Sequence, residues 1–303
     1  MKRLLLLASL IVLVWPTSLR AEEGKTALRL TPVIDQLVVK PGQTTVTKVN
    51  LTNLSSLPLP IKGYARAFIA TDEAGGSDYP DDPTPGAVQT WFHLDEPDFI
   101  IQPNQTKPID VQIAVPAGTE PGGHYATLFF ESLVPTEALS ESSLYLSGRI
   151  GALFFFVVSG DIHTLGQFQE FKTAGFHTEG AIDFKLAFQN NGNVHVKPKS
   201  RIIIKNWFGR TVGGFDDDGQ NVLPGKLRRW QVSWTKSWLF GRYTAQLQTQ
   251  LTPDSKPVYK EVSFWVIPIW QFLVALLAIG LFYLLIIRAR GRWKAVLQAL
   301  LKK

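Results

Sequence analysis

From Val262 to Ile287 the chain carries no charged residue, VSFWVIPIWQFLVALLAIGLFYLLII, and Arg288, Arg290, Arg292 and Lys294 follow at once. A hydrocarbon core of about 30 Å needs about 20 helical residues to cross it, so the run is a membrane-span candidate, with a buried core helix as the competing reading. The basic cluster places the carboxyl end in the cytoplasm and the body of the chain outside, as a single-pass protein of the cell membrane. The start of the run reads differently. Val258, Lys260, Val262 and Phe264 alternate with Tyr259, Glu261, Ser263 and Trp265, which is the period of a strand. The spacing therefore predicts a last strand that runs with almost no linker into a helix starting at Pro268, a residue suited to a first helical position. Residues 268–287 match one bilayer core, with Trp265 and Trp270 at the outer interface and Arg288, Arg290 and Arg292 at the inner one. Residues 288–303 form a basic cytoplasmic tail. In it Trp293, Val296, Leu297, Leu300 and Leu301 fall at helical spacing, a pattern that fits either interfacial binding or a short frayed end.

At the other end, Lys2 and Arg3 precede the apolar stretch Leu4 to Trp15 and a polar break at Pro16, Thr17 and Ser18, the layout of a secretory signal peptide over residues 1–21. Cleavage after Ala21 puts the large Leu19 three positions back, so retention as an uncleaved anchor stays open. These terminal segments change the meaning of the net charge of +6: nine Lys and Arg lie in them and no Asp or Glu, which leaves 22 basic against 25 acidic residues from Glu22 to Glu261. A nucleic-acid partner is therefore not expected. Residues 22–159 are acidic and 160–261 are basic, with 8 Lys/Arg against 16 Asp/Glu in the first and 14 against 9 in the second. Cysteine is absent, so an exported chain of this kind relies on its cores, which points to a bacterial and single-membrane origin.

Between the termini the pattern is alternation with a period of two. Thr47, Val49 and Leu51 oppose Lys48, Asn50 and Thr52; Ile109, Val111, Ile113 and Val115 alternate with polar or small residues; Ile182, Phe184, Leu186 and Phe188 do the same. Turn dipeptides such as Pro41-Gly42, Pro85-Gly86 and Pro103-Asn104 separate the runs. Arg149 to Ser159, RIGALFFFVVS, is apolar almost throughout and reads as a central strand covered on both faces. Further strands are expected at Arg201 to Asn206, Arg229 to Trp234 and Gly241 to Leu251. The fold class is all-β: two tandem immunoglobulin-like sandwiches, residues 22–159 and 160–267, with a linker near Gly160-Asp161 too short for independent tumbling.

Chemistry-bearing patterns are sparse. His93, His124, His163, His177 and His195 lack metal-ligand spacing, and no nucleophile elbow, phosphate loop or dinucleotide fingerprint is present. Neither a catalytic residue nor a cofactor is expected. Phe215-Asp216-Asp217-Asp218-Gly219 resembles the start of a calcium loop, but its first ligand position falls on Gly214 and the downstream Glu is missing, so a hairpin turn explains it better. The segment Thr71 to Gly86, with Asp72, Glu73, Asp78, Asp81 and Asp82, has carboxylates that a calcium ion could use, but its proline and glycine density reads as an exposed loop better suited to partner contact. Lys197, Lys199, Arg201, Lys205, Arg228 and Arg229 either meet an acidic wall polymer, lipid headgroup or protein, or form a solvated strand face.

Several phrases carry a resemblance: TPVIDQLVVKPGQTTVTKVNLTNLSSLPLPIKGYARAF, then VPAGTEPGGHYATLFF and RIGALFFFV, then FQNNGNVHVKPKSRIIIKNWFGR with VLPGKLRRW, ahead of the terminal helix and basic tail. In this order they resemble the WxL-interacting protein family of Gram-positive bacteria. The resemblance implies two immunoglobulin-like domains at the cell surface, the first associated with peptidoglycan and the second with host or surface proteins, WxL-type proteins among them. The expected function is a non-catalytic, membrane-anchored binding protein for wall polymer or surface proteins. Two other classes remain: a chaperone or assembly factor that adds a partner's strand to an exposed sheet edge, and a cell-wall enzyme.

Overall fold

The structure, a computed structural model, describes residues 28–81, 84, 86–132, 148–178, 180–252 and 255–300, with side chains through Arg288. The expected signal peptide, residues 1–21, lies outside the described residues. The described residues form nineteen strands, one short 3-10 turn at Val88–Trp91 and one long helix. In the N-terminal part these are β1 (Leu28–Thr31), β2 (Ile34–Val39), β3 (Thr44–Asn53), β4 (Leu59–Ala67), β5 (Ile69–Ala70), β6 (Ser77–Asp78), β7 (Phe92–Leu94), β8 (Asp98–Ile101), β9 (Thr106–Ala114), β10 (Gly122–Ser132) and β11 (Arg149–Val158). There follow β12 (Gly166–Lys172), β13 (Phe176–His177), β14 (Ala181–Asn190), β15 (Ser200–Asn206), β16 (Thr211–Asp217), β17 (Leu227–Thr235), β18 (Gly241–Thr249), β19 (Val258–Val266) and the helix α1 (Ile269–Leu300).

The alternating sequences place one face of each sheet inward, and the sheets pair to bury those faces. In the N-terminal sandwich the sheet β1-β3-β9-β7 lies over β2-β11-β10-β4-β8. Val49, Leu51, Val111 and Ile113 from the first sheet meet Leu128, Phe130, Phe154 and Phe156 from the second, with Trp91 closing one end. The C-terminal sandwich pairs β12-β14-β17 with β13-β19-β18-β15-β16 around Phe184, Phe188, Ile202, Leu247 and Phe264. Each such side chain, fully removed from water, contributes roughly 1.5–3 kcal/mol.

The two sandwiches share one polar device. At the end of β3, buried Asn53 donates from Nδ2 to the carbonyls of Leu57 and Ile101 and accepts the Ser55 amide. At the end of β14, buried Asn190 donates to the carbonyls of Val194 and Val222 and accepts the Gly192 amide. The offsets to the second and fourth following residues are the same. Each third partner directly precedes a turn, Gln102–Gln105 or Leu223–Lys226, whose third residue has positive φ: Asn104 at 58° and Gly225 at 68°. One short polar side chain thus ties a strand end, a loop and a distant turn together in each half.

Strand β19 passes directly into the helix, with only Ile267 and Pro268 between them. The helix begins at Ile269, next to Pro268 as expected, and the Pro268 carbonyl accepts the Phe272 amide from the N-cap position. The helix does not stop at Ile287. It continues through Arg288, Arg290 and Arg292 to Leu300, because this stretch holds no proline and is rich in Ala, Leu, Arg and Lys, all good helix formers. Ile269–Arg288 is long and apolar enough to cross a membrane, and none of it is buried within the protein.

Candidate interaction surface

The seam between the sandwiches begins with the outward side chains of β10 and β11. Tyr125 and Phe155 stand on the face away from the N-terminal core, and Leu223 from the second half packs on them beside Phe68, Ala70 and Leu153. The His195 ring lies 4.9 Å from Phe155 and 5.7 Å from Tyr125. Burial pushes the Tyr125 phenol well above its usual value and lowers the His195 imidazole. A backbone bond closes the other side, the Gly123 amide donating to the Asn193 carbonyl at 2.8 Å, and the Asn193 side chain is held in place by donating from Nδ2 to the Asp161 carbonyl at 2.8 Å.

The acidic segment after β5 completes the seam. Asp72 Oδ1 accepts the amides of Ala74, Gly75 and Gly76 at 2.9, 2.8 and 2.7 Å. Chiefly through the Gly76 bond, these amides hold its carboxyl below the usual carboxylate range. This turn presents Glu73 to Arg229, whose guanidinium also bonds Glu170 at 2.9 Å. The bond from Glu73 and then that from Glu170 raise the Arg229 guanidinium, and Arg229 in turn lowers the Glu170 carboxyl. Arg228, whose charge burial disfavours, donates to the Asn221 carbonyl at 2.8 Å. The cavity among Phe68, Asp72, Phe155, Asn221 and Arg228 holds about 30 Å³, room for water but not for a cofactor.

A second feature is the free side of β2. This strand pairs in parallel with β11 and has no strand on its other side among the described residues. The carbonyls of Val33 and Val39 accept the amides of Leu153 and Ser159, so by alternation the backbone groups of Ile34, Gln36 and Val38 point to the open side. Their side chains are exposed, Val38 to 75%, with Val33 beside them at 58%. Natural edges are usually guarded by Lys, Pro or a bulge. Here the sequence IDQLVV offers one charge, Asp35, and it is turned back to the Thr47 hydroxyl at 2.8 Å. Other long edges are guarded: β12 carries a bulge between Phe168 and Glu170, β16 carries Gly213, Gly214 and two aspartates, and β17 carries Arg228 and Arg229.

No family model matches the chain, and no curated protein matches it. Among solved structures the chain is similar to the class 5 fimbriae chaperone CfaA at TM-score 0.42 and 14% identity, covering 77% of this chain and 98% of that one. It is similar to the E. coli chaperone DraB at TM-score 0.39 and 14% identity, covering 78% and 98%. It is also similar to a chain of the Salmonella enterica SafA pilin–SafB chaperone complex at TM-score 0.37 and 16% identity, covering 78% and 96%. None of these similarities bears on a particular residue.

The expected site residues divide clearly. Arg228 and Arg229, read from sequence either as facing a polymer or partner or as part of a solvated strand face, meet Asn221, Glu73 and Glu170 of this chain. The segment from Thr71, read as an exposed partner-binding loop, begins as their counterpart, because its Asx turn points Glu73 across the seam. Asp216 to Gly219 is not a hairpin turn: β16 and β17 belong to different sheets, and Asp217 caps the crossing by accepting the Gly219 amide and Trp230 Nε1. Arg201 sits 3.9 Å from Asp216, and Lys205 reaches Gln246. Four histidines have local partners: His93 the Trp91 carbonyl, His124 the Glu120 carbonyl, His163 the Asp161 carboxylate and His177 the Thr173 hydroxyl. Among the described residues no three His, Cys, Asp or Glu side chains are placed to hold a metal. Sequence reasoning passed over the β2 edge because its IDQLVV pattern gives a strand without saying which neighbours it lacks.

Proposed function

We propose that the chain is a membrane-anchored, non-catalytic protein of immunoglobulin-like sandwiches that takes up an extended segment of a surface protein by strand addition along β2, as a chaperone or assembly factor does. The observation that carries this reading is the unguarded edge: outward backbone groups at Ile34, Gln36 and Val38 flanked by exposed apolar side chains. An incoming strand satisfies those backbone groups and covers that apolar surface in one step. Helix α1, outward-facing and apolar over Ile269–Arg288, ties the edge to a membrane through the C-terminal sandwich. The resemblance to the WxL-interacting family is compatible with such a surface-protein client, and binding of wall polymer is the competing reading.

A photo-crosslinking residue at position 36 in the full chain, expressed in cells, identifies the client by the mass of its adduct. The reading requires that a peptide of the crosslinked segment slow amide exchange at Gln36 and Val38, and that Gln36→Pro, which removes an outward donor, abolish the effect while leaving thermal unfolding unchanged. Retention of the full chain on purified peptidoglycan, with β2 exchange unaltered by any crosslinked segment, would replace strand addition by polymer binding.

A further inference from the structure

Two rigid tips stand at the end of the C-terminal sandwich from which α1 leaves. β18 begins at Gly241, paired with Val266, the last residue of β19. β15 ends at Asn206, paired with Tyr243 two residues on, so the β15–β16 turn and the β17–β18 loop lie at that same end. The first tip exposes Trp207 at 64% and Phe208 at 74%, their rings edge-to-face at 5.1 Å. Asn206 Oδ1 fixes it by accepting the amides of Phe208 and Arg210. The second exposes Trp238 and Phe240 on either side of Leu239, which is buried in the core, while the Tyr243 hydroxyl bonds the Phe240 backbone. In both tips the backbone is held by these bonds and the aromatic side chains face solvent.

The depth of these tips is set by one contact: the Phe240 ring lies 5.5 Å from Phe272, in the first turn of α1. Whatever surrounds the start of the helix therefore also meets Phe240. Aromatic residues favour the bilayer interface, where an apolar ring can sink while polar atoms stay hydrated. Exposed Arg210 and Arg242 at the same end suit lipid phosphates.

We infer that Trp207, Phe208, Trp238 and Phe240 form a lipid-binding base through which the C-terminal sandwich sits in the outer-leaflet interface, independently of the helix crossing below it. The inference rests on the reading of α1 as a bilayer span. The base restricts the tilt of the sandwich and so fixes the height of the β2 edge above the membrane.

The chain contains no cysteine, so single-cysteine variants of the full protein can be spin-labelled without background. Labels replacing Phe208, Trp238, Leu277 and Asp218 are compared in phosphatidylethanolamine–phosphatidylglycerol vesicles by accessibility to oxygen and to an aqueous nickel chelate. Asp218 lies at the opposite end of β16 and serves as the aqueous reference. The expected result is an oxygen-to-nickel ratio at 208 and 238 several-fold above that at 218 and below that at 277. Ratios at 208 and 238 equal to that at 218, with 277 buried in lipid, overturn the inference and leave the span intact. An aqueous ratio at 277 overturns the span itself. Labels at 208 and 238 shielded from both reagents equally in detergent and in vesicles overturn the lipid assignment in favour of a protein contact.

Discussion

Glu73 and Arg229, separated by 156 positions in the chain, are hydrogen-bonded twice: carboxylate to guanidinium, and backbone carbonyl to backbone amide. The double bond orients the acidic turn against β17, and the neighbouring carboxylates of Asp72 and Glu170 are both held below their usual range. A depressed folded-state value means stability present above the unfolded carboxylate value and lost as pH falls through the folded one. The seam is therefore expected to loosen on acidification below about pH 4, the ordinary carboxylate range. Amide protection at Arg229, corrected for the intrinsic exchange rate at each pH, measures it: the protection factor should fall in acid, and Arg229→Ala at neutral pH should lower the protection of its neighbours to the level wild type shows in acid. The pairs are solvent-exposed, so the effect belongs to the seam rather than to global stability.

His195 gives a dependence in a milder range. Burial lowers its imidazole below the ordinary value of 6.5, so the unfolded chain binds the proton more readily than the folded one. Stability is then complete above that value and falls as pH drops below it, until the folded imidazole also titrates. His177, also lowered by burial, adds to the slope. Thermal unfolding between pH 7 and pH 5 should show the fall, and His195→Phe should flatten it.

The matched asparagines predict matched losses. Asn53→Ala removes four side-chain hydrogen bonds and Asn190→Ala three, each withdrawing a donor from a buried carbonyl, that of Ile101 or of Val222, which costs about 2–4 kcal/mol. Each loss should appear first in its own sandwich, so exchange mapping of the two variants should show opening confined to strands around β3 in one and around β14 in the other.

Phe184 is fully buried and stacks at 5.5 Å on Phe171. Phe184→Ala is expected to destabilise by roughly 3–5 kcal/mol in denaturant unfolding, and Phe184→Leu by clearly less.

Much of this fold was legible because the alternating faces are simple. Val49 and Leu51, or Phe184 and Leu186, lie inward for the reason their spacing suggests. Arg149 to Ser159 reads as covered on both faces, and the cause is now visible: Phe154 and Phe156 enter the core while Phe155 enters the seam. Two things were beyond local reading. Turn chemistry at Asp217 to Gly219 announces a reversal but not that the next strand joins the opposite sheet. The Glu73–Arg229 pairing depends on how two sandwiches abut, which no local spacing encodes. The helix overran its expected end for a different reason: charge marks a membrane boundary, whereas a helix stops only where its backbone is capped or broken.

The two-residue junction between Val266 and Ile269 has a mechanical consequence. With α1 held in a bilayer, tension on the proposed strand-addition edge at β2 would reach the membrane through β19, which lies inside its sheet, paired along all nine residues with β18. Such a pull meets the ladder in shear, where many hydrogen bonds must yield together instead of peeling one after another. On the proposed reading the C-terminal sandwich is a tether whose resistance to force comes from the same strand that leads into the membrane-span candidate.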